Sequence, residues 1–172
     1  VFDVQARAVI NATGPWADRI RQLSVAGTPD KLAPTKGIHL VLPRVAQQAL
    51  FAQGRADARM LFILPWGDYS LVGTTEGPIR SPLETLTADA DEVGYLLDAV
   101  NHALPGSHLD ADDVVATFAG ARPLLAFSGS ATSASREHHI DIDPSGLISV
   151  MGGKFTTYRR MAQEAVDVLI TR

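Results

Sequence analysis

The chain uses one local grammar at both ends, and that repetition limits what it can fold into. Near the start, the apolar run Ala8-Val9-Ile10-Asn11-Ala12 leads into Thr13-Gly14-Pro15-Trp16-Ala17-Asp18. Near the end, Leu147-Ile148-Ser149-Val150 leads into Gly152-Gly153-Lys154-Phe155-Thr156-Thr157-Tyr158-Arg159. Each reads as a buried strand, a tight glycine turn and a helix. A near-continuous apolar run suits a strand of a covered parallel sheet. Pro15 suits a first helical position and Asp18 a first turn. Trp16, Ile20 and Leu23 share one face of the first helix. Tyr158, Met161, Ala162, Ala165, Val166 and Leu169 share one face of the last. Val1-Phe2-Asp3-Val4 reads as a further strand ahead of the first unit.

Between the ends the pattern changes to antiparallel structure. A loop rich in Gly, Pro, Thr and Asp covers 24–35, and Lys36 to Pro43 is a strand. Residues 44–59 read as a short Ala/Gln stretch and a polar connection. Met60–Trp66 and Tyr69–Thr74 flank Gly67-Asp68, a strong hairpin signal. A loop spans 76–88 and a helix 89–103, with Val93, Leu96, Leu97 and Val100 on one face. Asp113–Ala119 is a strand leading into Gly120-Ala121-Arg122-Pro123-Leu124. Residues 126–135 read as a mobile surface loop, and His138–Asp143 with Leu147–Met151 as a hairpin around Pro144-Ser145-Gly146. The expected class is mixed, α/β at the ends and α+β in the middle. It corresponds to part of a dinucleotide-binding type of domain (1–24 and 138–172) with an inserted antiparallel lobe (25–137). A chain that starts within a strand and stops at a helix end is expected to be an internal piece of a longer protein.

Composition narrows the chemistry. There is no cysteine, so thiol nucleophiles, disulfides and thiolate metal sites are excluded. No run of eighteen apolar residues suggests a membrane span, and no signal peptide is evident. A net charge of −4 with interspersed signs argues against nucleic-acid binding. Against that background Lys36, His39, Arg122, Arg136, Lys154 and Arg159 stand out as candidates for one anionic pocket. His138 and His139 do not read as a metal pair, because strand neighbours point to opposite faces.

The Gly152–Arg159 segment carries the most chemistry. Its glycines let backbone approach a ligand closely. Its threonines can cap the following helix, and Lys154 adds a charge to the positive end of the helix dipole. A tight connection with a solvated lysine has the same sequence.

Several motifs occur in order: Ile10-Asn11-Ala12-Thr13-Gly14-Pro15-Trp16, Lys36-Gly37-Ile38-His39, Leu64-Pro65-Trp66, Gly73-Thr74-Thr75, Gly120-Ala121-Arg122-Pro123-Leu124, Ser135-Arg136-Glu137-His138 and the Gly152–Arg159 segment. Together they resemble the FAD-dependent glycerol-3-phosphate dehydrogenases of the D-amino-acid-oxidase-like flavoproteins. The G-x-G-x-x-G fingerprint of such a family is absent from this chain. The resemblance implies oxidation of sn-glycerol 3-phosphate to dihydroxyacetone phosphate by hydride transfer to FAD, with electrons passing to quinone. It also implies an enzyme seated peripherally on a membrane and working with further N- and C-terminal segments; the Ala-rich composition points to a bacterial source, hence to the cytoplasmic, inner face of a bacterial membrane. The segment alone is expected to be inactive.

Roles follow from that resemblance. Lys154 would stabilise reduced flavin, with Gly152, Gly153, Phe155 and Thr156 offering backbone N–H groups to the same edge. Thr13 and Gly14 would form an FAD-contacting turn, although a plain helix start has the same residues. Arg122 suits substrate phosphate through its bidentate fork; a structural ion pair is the alternative. Arg136 is a second phosphate candidate beside a loop, where it is equally suited to solvent. His39 would line the pocket or move a proton, or be held structurally. Thr74 and Thr75 end a strand and offer hydroxyls, with Thr75 on the substrate side. Two other readings share much of this pattern: a different amine or hydroxy-acid oxidase, and a non-catalytic module that binds an organic phosphate.

Overall fold

The structure, a computed structural model, describes residues 2–55, 57–126 and 137–171. The chain divides into two compact units, Val1–Thr35 with Arg122–Arg172, and Lys36–Ala121.

The first unit is built on a three-stranded sheet, β1 (Ile10–Asn11), β9 (Ile148–Gly152) and β8 (His138–Ile142), in the order β1-β9-β8. β1 and β9 run parallel, and β8 and β9 form the expected antiparallel hairpin. The hairpin turn is fixed by the Asp143 carboxylate, which accepts from the Ser145 N–H at 2.9 Å and the Leu147 N–H at 3.1 Å. Each parallel strand is followed by a glycine, one 3₁₀ turn and a helix: Gly14–Trp16 then α1 (Ala17–Ser24), and Phe155–Thr157 then α3 (Tyr158–Ile170). Ala17, Leu32, Leu125 and Met151 form its small core.

Several expectations for this unit are corrected. Residues 2–4 form no strand, and Phe2 and Val4 are exposed with no partner strand among the described residues. The run from Ala8 to Ala12 pairs on one side only, so the strand shrinks to Ile10–Asn11 and Val9 is 57% exposed. In α1 the inward face is Ala17, Asp18 and Arg21, while Leu23 is 78% exposed. The reason is an ion network. Asp18 accepts from the Lys31 and Leu32 N–H groups at 2.9 and 2.8 Å and pairs with Arg21 at 2.6 Å. Asp141 then receives Lys31 at 2.7 Å. A charged inner face is invisible to a hydrophobic count. α3 turns Met161, Glu164, Ala165, Val168 and Leu169 inward, leaving Tyr158, Ala162 and Val166 exposed.

The second unit is a sheet of β3 (Leu50–Gln53), β4 (Met60–Trp66), β5 (Tyr69–Gly73), β2 (Thr35–Pro43) and β6 (Gly77–Pro78), in that order. β7 (Ala116–Arg122) also pairs with β2. One face packs on α2 (Ala90–Ala103), where Ile38, Leu40, Leu61, Ile63 and Val72 meet Leu96 and Val100, all fully buried. The expected hairpin holds, with Trp66 opposite Tyr69. Asp89 caps α2 and exchanges hydrogen bonds with Glu92 in a capping box, which fixes the helix start. The strand at Leu50–Gln53 was expected as a connection; four residues give too little alternation to be seen. β7 begins later than expected because Asp110 caps a 3₁₀ turn, accepting from the Asp112 N–H at 2.8 Å. No helix among the described residues is long and apolar enough to cross a membrane.

Candidate functional site

Thr13-Gly14 and Gly152-Gly153-Lys154 close neighbouring parallel strands. Ile10 lies beside Ile148 and Asn11 beside Ser149. Both turns therefore leave from the carboxyl edge of one sheet, the edge at which α/β sheets meet ligands. Asn11, 2% exposed, builds this corner. Its amide donates to the Ala17 carbonyl at 2.9 Å and to the Ser149 hydroxyl at 3.2 Å. Its side-chain oxygen accepts from the Thr13 N–H at 3.3 Å and the Thr13 hydroxyl at 2.7 Å. Sequence reasoning passed over Asn11. The signal was there: an Asn two residues ahead of a Thr-Gly turn bonds its own backbone in this way.

The second turn needs its glycines for two reasons. Gly152 and Gly153 have φ of +69° and +80°, in the left-handed region. A Cβ on Gly152 would also lie 2.6 Å from the Glu137 carbonyl oxygen, and one on Gly153 2.6 Å from Met161. The Gly153 N–H donates to Glu137 at 3.2 Å. Lys154 follows with an exposed side chain that makes no ion pair among the described residues. The expectation that a threonine caps α3 is corrected. The Thr157 hydroxyl turns back to donate to the Lys154 carbonyl at 3.0 Å and makes no cap bond. Phe155 is 90% exposed and stacks on Tyr158 with centroids 5.7 Å apart.

This corner fits one edge of a flavin. The first N–H groups of the turn, on Phe155 and Thr156, have no carbonyl within the helix to receive them. Together with a cation and a bare backbone they suit the polar edge of a planar heterocycle. Pyrophosphate binding would need a cradle other than the missing G-x-G-x-x-G.

In the second unit, His39 and Thr75 each have their own partners. His39 on β2 lies opposite Gly73 on β5, and a Cβ on Gly73 would collide with the His39 imidazole. The ring also stacks on Phe118, centroids 5.2 Å apart and planes 14° from parallel. Thr75 is 6% exposed. Its hydroxyl accepts from the Ile38 N–H at 3.0 Å and donates to Glu92 at 3.4 Å. Thr74 donates its hydroxyl to the Thr75 carbonyl at 3.1 Å.

Lys36 leaves the set of candidate anion ligands. It is 6% exposed, and its ammonium lies 2.7 Å from Asp89 and 2.8 Å from Glu92. Burial pulls its pKa down, but the hydrogen bonds and charges of those two carboxylates outweigh it and hold the group above 10.5. A doubly neutralised ammonium attracts no anion. It lines a cleft of about 620 Å³ together with Arg59, Glu76, Asp57 and Tyr95. These charges also pair: Arg59 meets Glu76 at 2.7 Å and Asp57 at 3.3 Å. Tyr95 donates to Asp57 at 2.8 Å, and burial with that bond pushes its hydroxyl up to about 12.

Arg122 ends β7, half-buried, and its carbonyl accepts from the Leu124 N–H at 2.9 Å. Arg136 and the loop expected over 126–135 lie outside the described residues, apart from Ala126.

A family model described as FAD dependent oxidoreductase, DAO, matches residues 1–165. The chain is 37% identical to the mitochondrial glycerol-3-phosphate dehydrogenase of Mesocricetus auratus, across 98% of this chain and 24% of that protein. It is 38% identical to glycerol-3-phosphate dehydrogenase 2 of Mycobacterium bovis, across 99% of this chain and 29% of that protein. The structure of the glycerol-3-phosphate dehydrogenase from Bacillus halodurans complexed with FAD superposes with a TM-score of 0.87 at 33% identity, over 98% of this chain and 32% of that one. The chain thus spans roughly a quarter to a third of the length of these relatives.

Proposed function

The chain belongs to the DAO family of FAD-dependent oxidoreductases, and from that premise we propose that it forms part of an enzyme oxidising sn-glycerol 3-phosphate to dihydroxyacetone phosphate. The observation that carries the reading is the Gly152-Gly153-Lys154 turn at the carboxyl edge of a parallel strand pair. The names printed for relatives at 37–38% identity support the choice of substrate. FAD, when bound, accepts the hydride from C2 of the substrate.

The chain's own residues divide the remaining work. Lys154 supplies positive charge where negative charge develops, and Gly152, Gly153, Phe155 and Thr156 present backbone to the same edge. Thr13 and Gly14 contribute the neighbouring turn. Arg122 takes the substrate phosphate with its planar fork, with Arg136 as a second cation. His39 lines the substrate side and is suited to proton transfer. Thr75, its hydroxyl committed to Ile38 and Glu92, shapes that strand end rather than donating to substrate. In this reading 1–24 and 138–172 belong to the FAD-binding domain and 25–137 to a substrate lobe. Electrons leave to a quinone, and the enzyme works peripherally on the inner face of a bacterial membrane, with N- and C-terminal segments completing it.

Anaerobic addition of glycerol 3-phosphate to the FAD-loaded full-length protein that contains this chain tests this. Bleaching of the flavin absorbance is the expected result. A bound flavin bleached by an amino or hydroxy acid and not by glycerol 3-phosphate would overturn the substrate assignment. Glycerol phosphate binding with no flavin would overturn the enzyme assignment in favour of a binding module.

A further inference from the structure

We propose that His138 is a positioning residue for Lys154: through Glu164 it pins α3 to β8 and so holds the left-handed Gly152-Gly153 backbone that aims the lysine. The inference rests on the reading of Lys154 as the flavin-side cation.

His138 opens β8 and lies opposite Gly152 in the register. Its Nε2 is 2.6 Å from one carboxylate oxygen of Glu164 on α3. The other oxygen receives the Arg160 guanidinium at 2.7 Å. The histidine side of this bridge is shielded, with the side chain 16% exposed. Gly153 is wedged into the same joint. A Cβ there would lie 3.1 Å from the His138 Cβ on one side and 2.6 Å from Met161 on the other. The residue before His138 accepts the Gly153 N–H. The turn is therefore gripped from below by Glu137 and His138, and its exit into α3 is tied back to His138 by Glu164.

Without the bridge, α3 keeps its apolar stripe but loses its polar tie to β8 next to the turn. The lysine follows the start of α3, and electrostatic stabilisation depends on distances held to roughly half an ångström. A loosened joint weakens the charge at the flavin without removing it.

The test is the two-electron midpoint potential of bound flavin in the FAD-loaded full-length protein that contains this chain, for wild type, K154M, H138A, H138Q and the H138A/K154M double variant. K154M is expected to shift the oxidised–reduced equilibrium tenfold, about 30 mV more negative. H138A is expected to move it the same way by about threefold. H138Q, whose amide can donate to Glu164, is expected to stay near wild type. The double variant is expected to match K154M alone. In the flavin-free protein, H138A should speed hydrogen exchange at the Gly153 amide and H138Q should not.

Unchanged potential in K154M would overturn the reading of Lys154 itself, and this inference with it. A shift in K154M with none in H138A would overturn the role of His138 alone. A full H138A shift on top of K154M would show general loosening, and would overturn it too. If H138A does not fold, E164A replaces it, with the same outcomes.

Discussion

Lys36 and Lys154 stand in different units and in opposite surroundings, although each is a lysine beside a glycine at a strand end. Lys36 is buried and its ammonium is shared by Asp89 and Glu92. Lys154 is exposed on a turn whose backbone is held by Glu137 and two left-handed glycines rather than by its own side chain. In one case the charge is consumed by the fold. In the other the fold is arranged so that the charge is left over. A positive charge available to a ligand is recognised by what it lacks, and the polar scaffold that allows this lies one layer behind it.

That contrast can be broken at several points. The largest effect is expected at Gly152. Gly152→Ala combines a strained φ with a Cβ against the Glu137 carbonyl, and a loss of roughly 3 kcal/mol in urea unfolding is expected. Gly14→Ala, with a similar φ and open space around it, should cost only about 1 kcal/mol. Equal losses at the two sites would mean that close approach is not what shapes the Lys154 turn.

Lys36→Met comes next, at about 2 kcal/mol, because it strands Glu92 in a partly buried site while Asp89 keeps its solvent. It also carries a pH signature. The folded pKa of Lys36 lies above its unfolded value of 10.5. Its stabilisation is therefore complete below 10.5 and is lost as pH rises through the folded value. The variant should show a shallower loss of stability above about pH 10.5 than the wild type. An identical alkaline profile would mean that the ion pairs contribute nothing.

Asn11→Ala should cost 1–2 kcal/mol, as it removes the donor to Ala17 and the acceptor for Thr13 in a buried corner. The smallest stability effect is expected at Lys154, where replacement by Met should change unfolding by no more than about 0.5 kcal/mol.

The same contrast explains what could be read in advance. The β4–β5 hairpin was legible because Gly67-Asp68 separates two apolar runs, and its register follows from the turn. α2 was legible from its apolar face. The glycine turns after β1 and β9 were legible because glycine and proline mark them locally. What stayed hidden depends on partners distant in sequence. Lys36 and Asp89 are 53 residues apart, and nothing local distinguishes that lysine from Lys154. The inward face of α1 was misread because its buried members are an ionic pair and one alanine. Residues 2–4 have strand composition but no neighbour to pair with among the described residues, and composition alone makes no ladder.

The most direct test of the contrast compares Lys154→Met and Lys36→Met in the FAD-loaded full-length protein by stopped-flow reduction with glycerol 3-phosphate, alongside urea midpoints. The account predicts that the Lys154 variant reduces its flavin up to about tenfold more slowly, in step with the loss of charge stabilisation, with an unchanged urea midpoint. It predicts that the Lys36 variant keeps a near-normal rate with a lowered midpoint. A Lys154 variant that reduces flavin at the wild-type rate would contradict it.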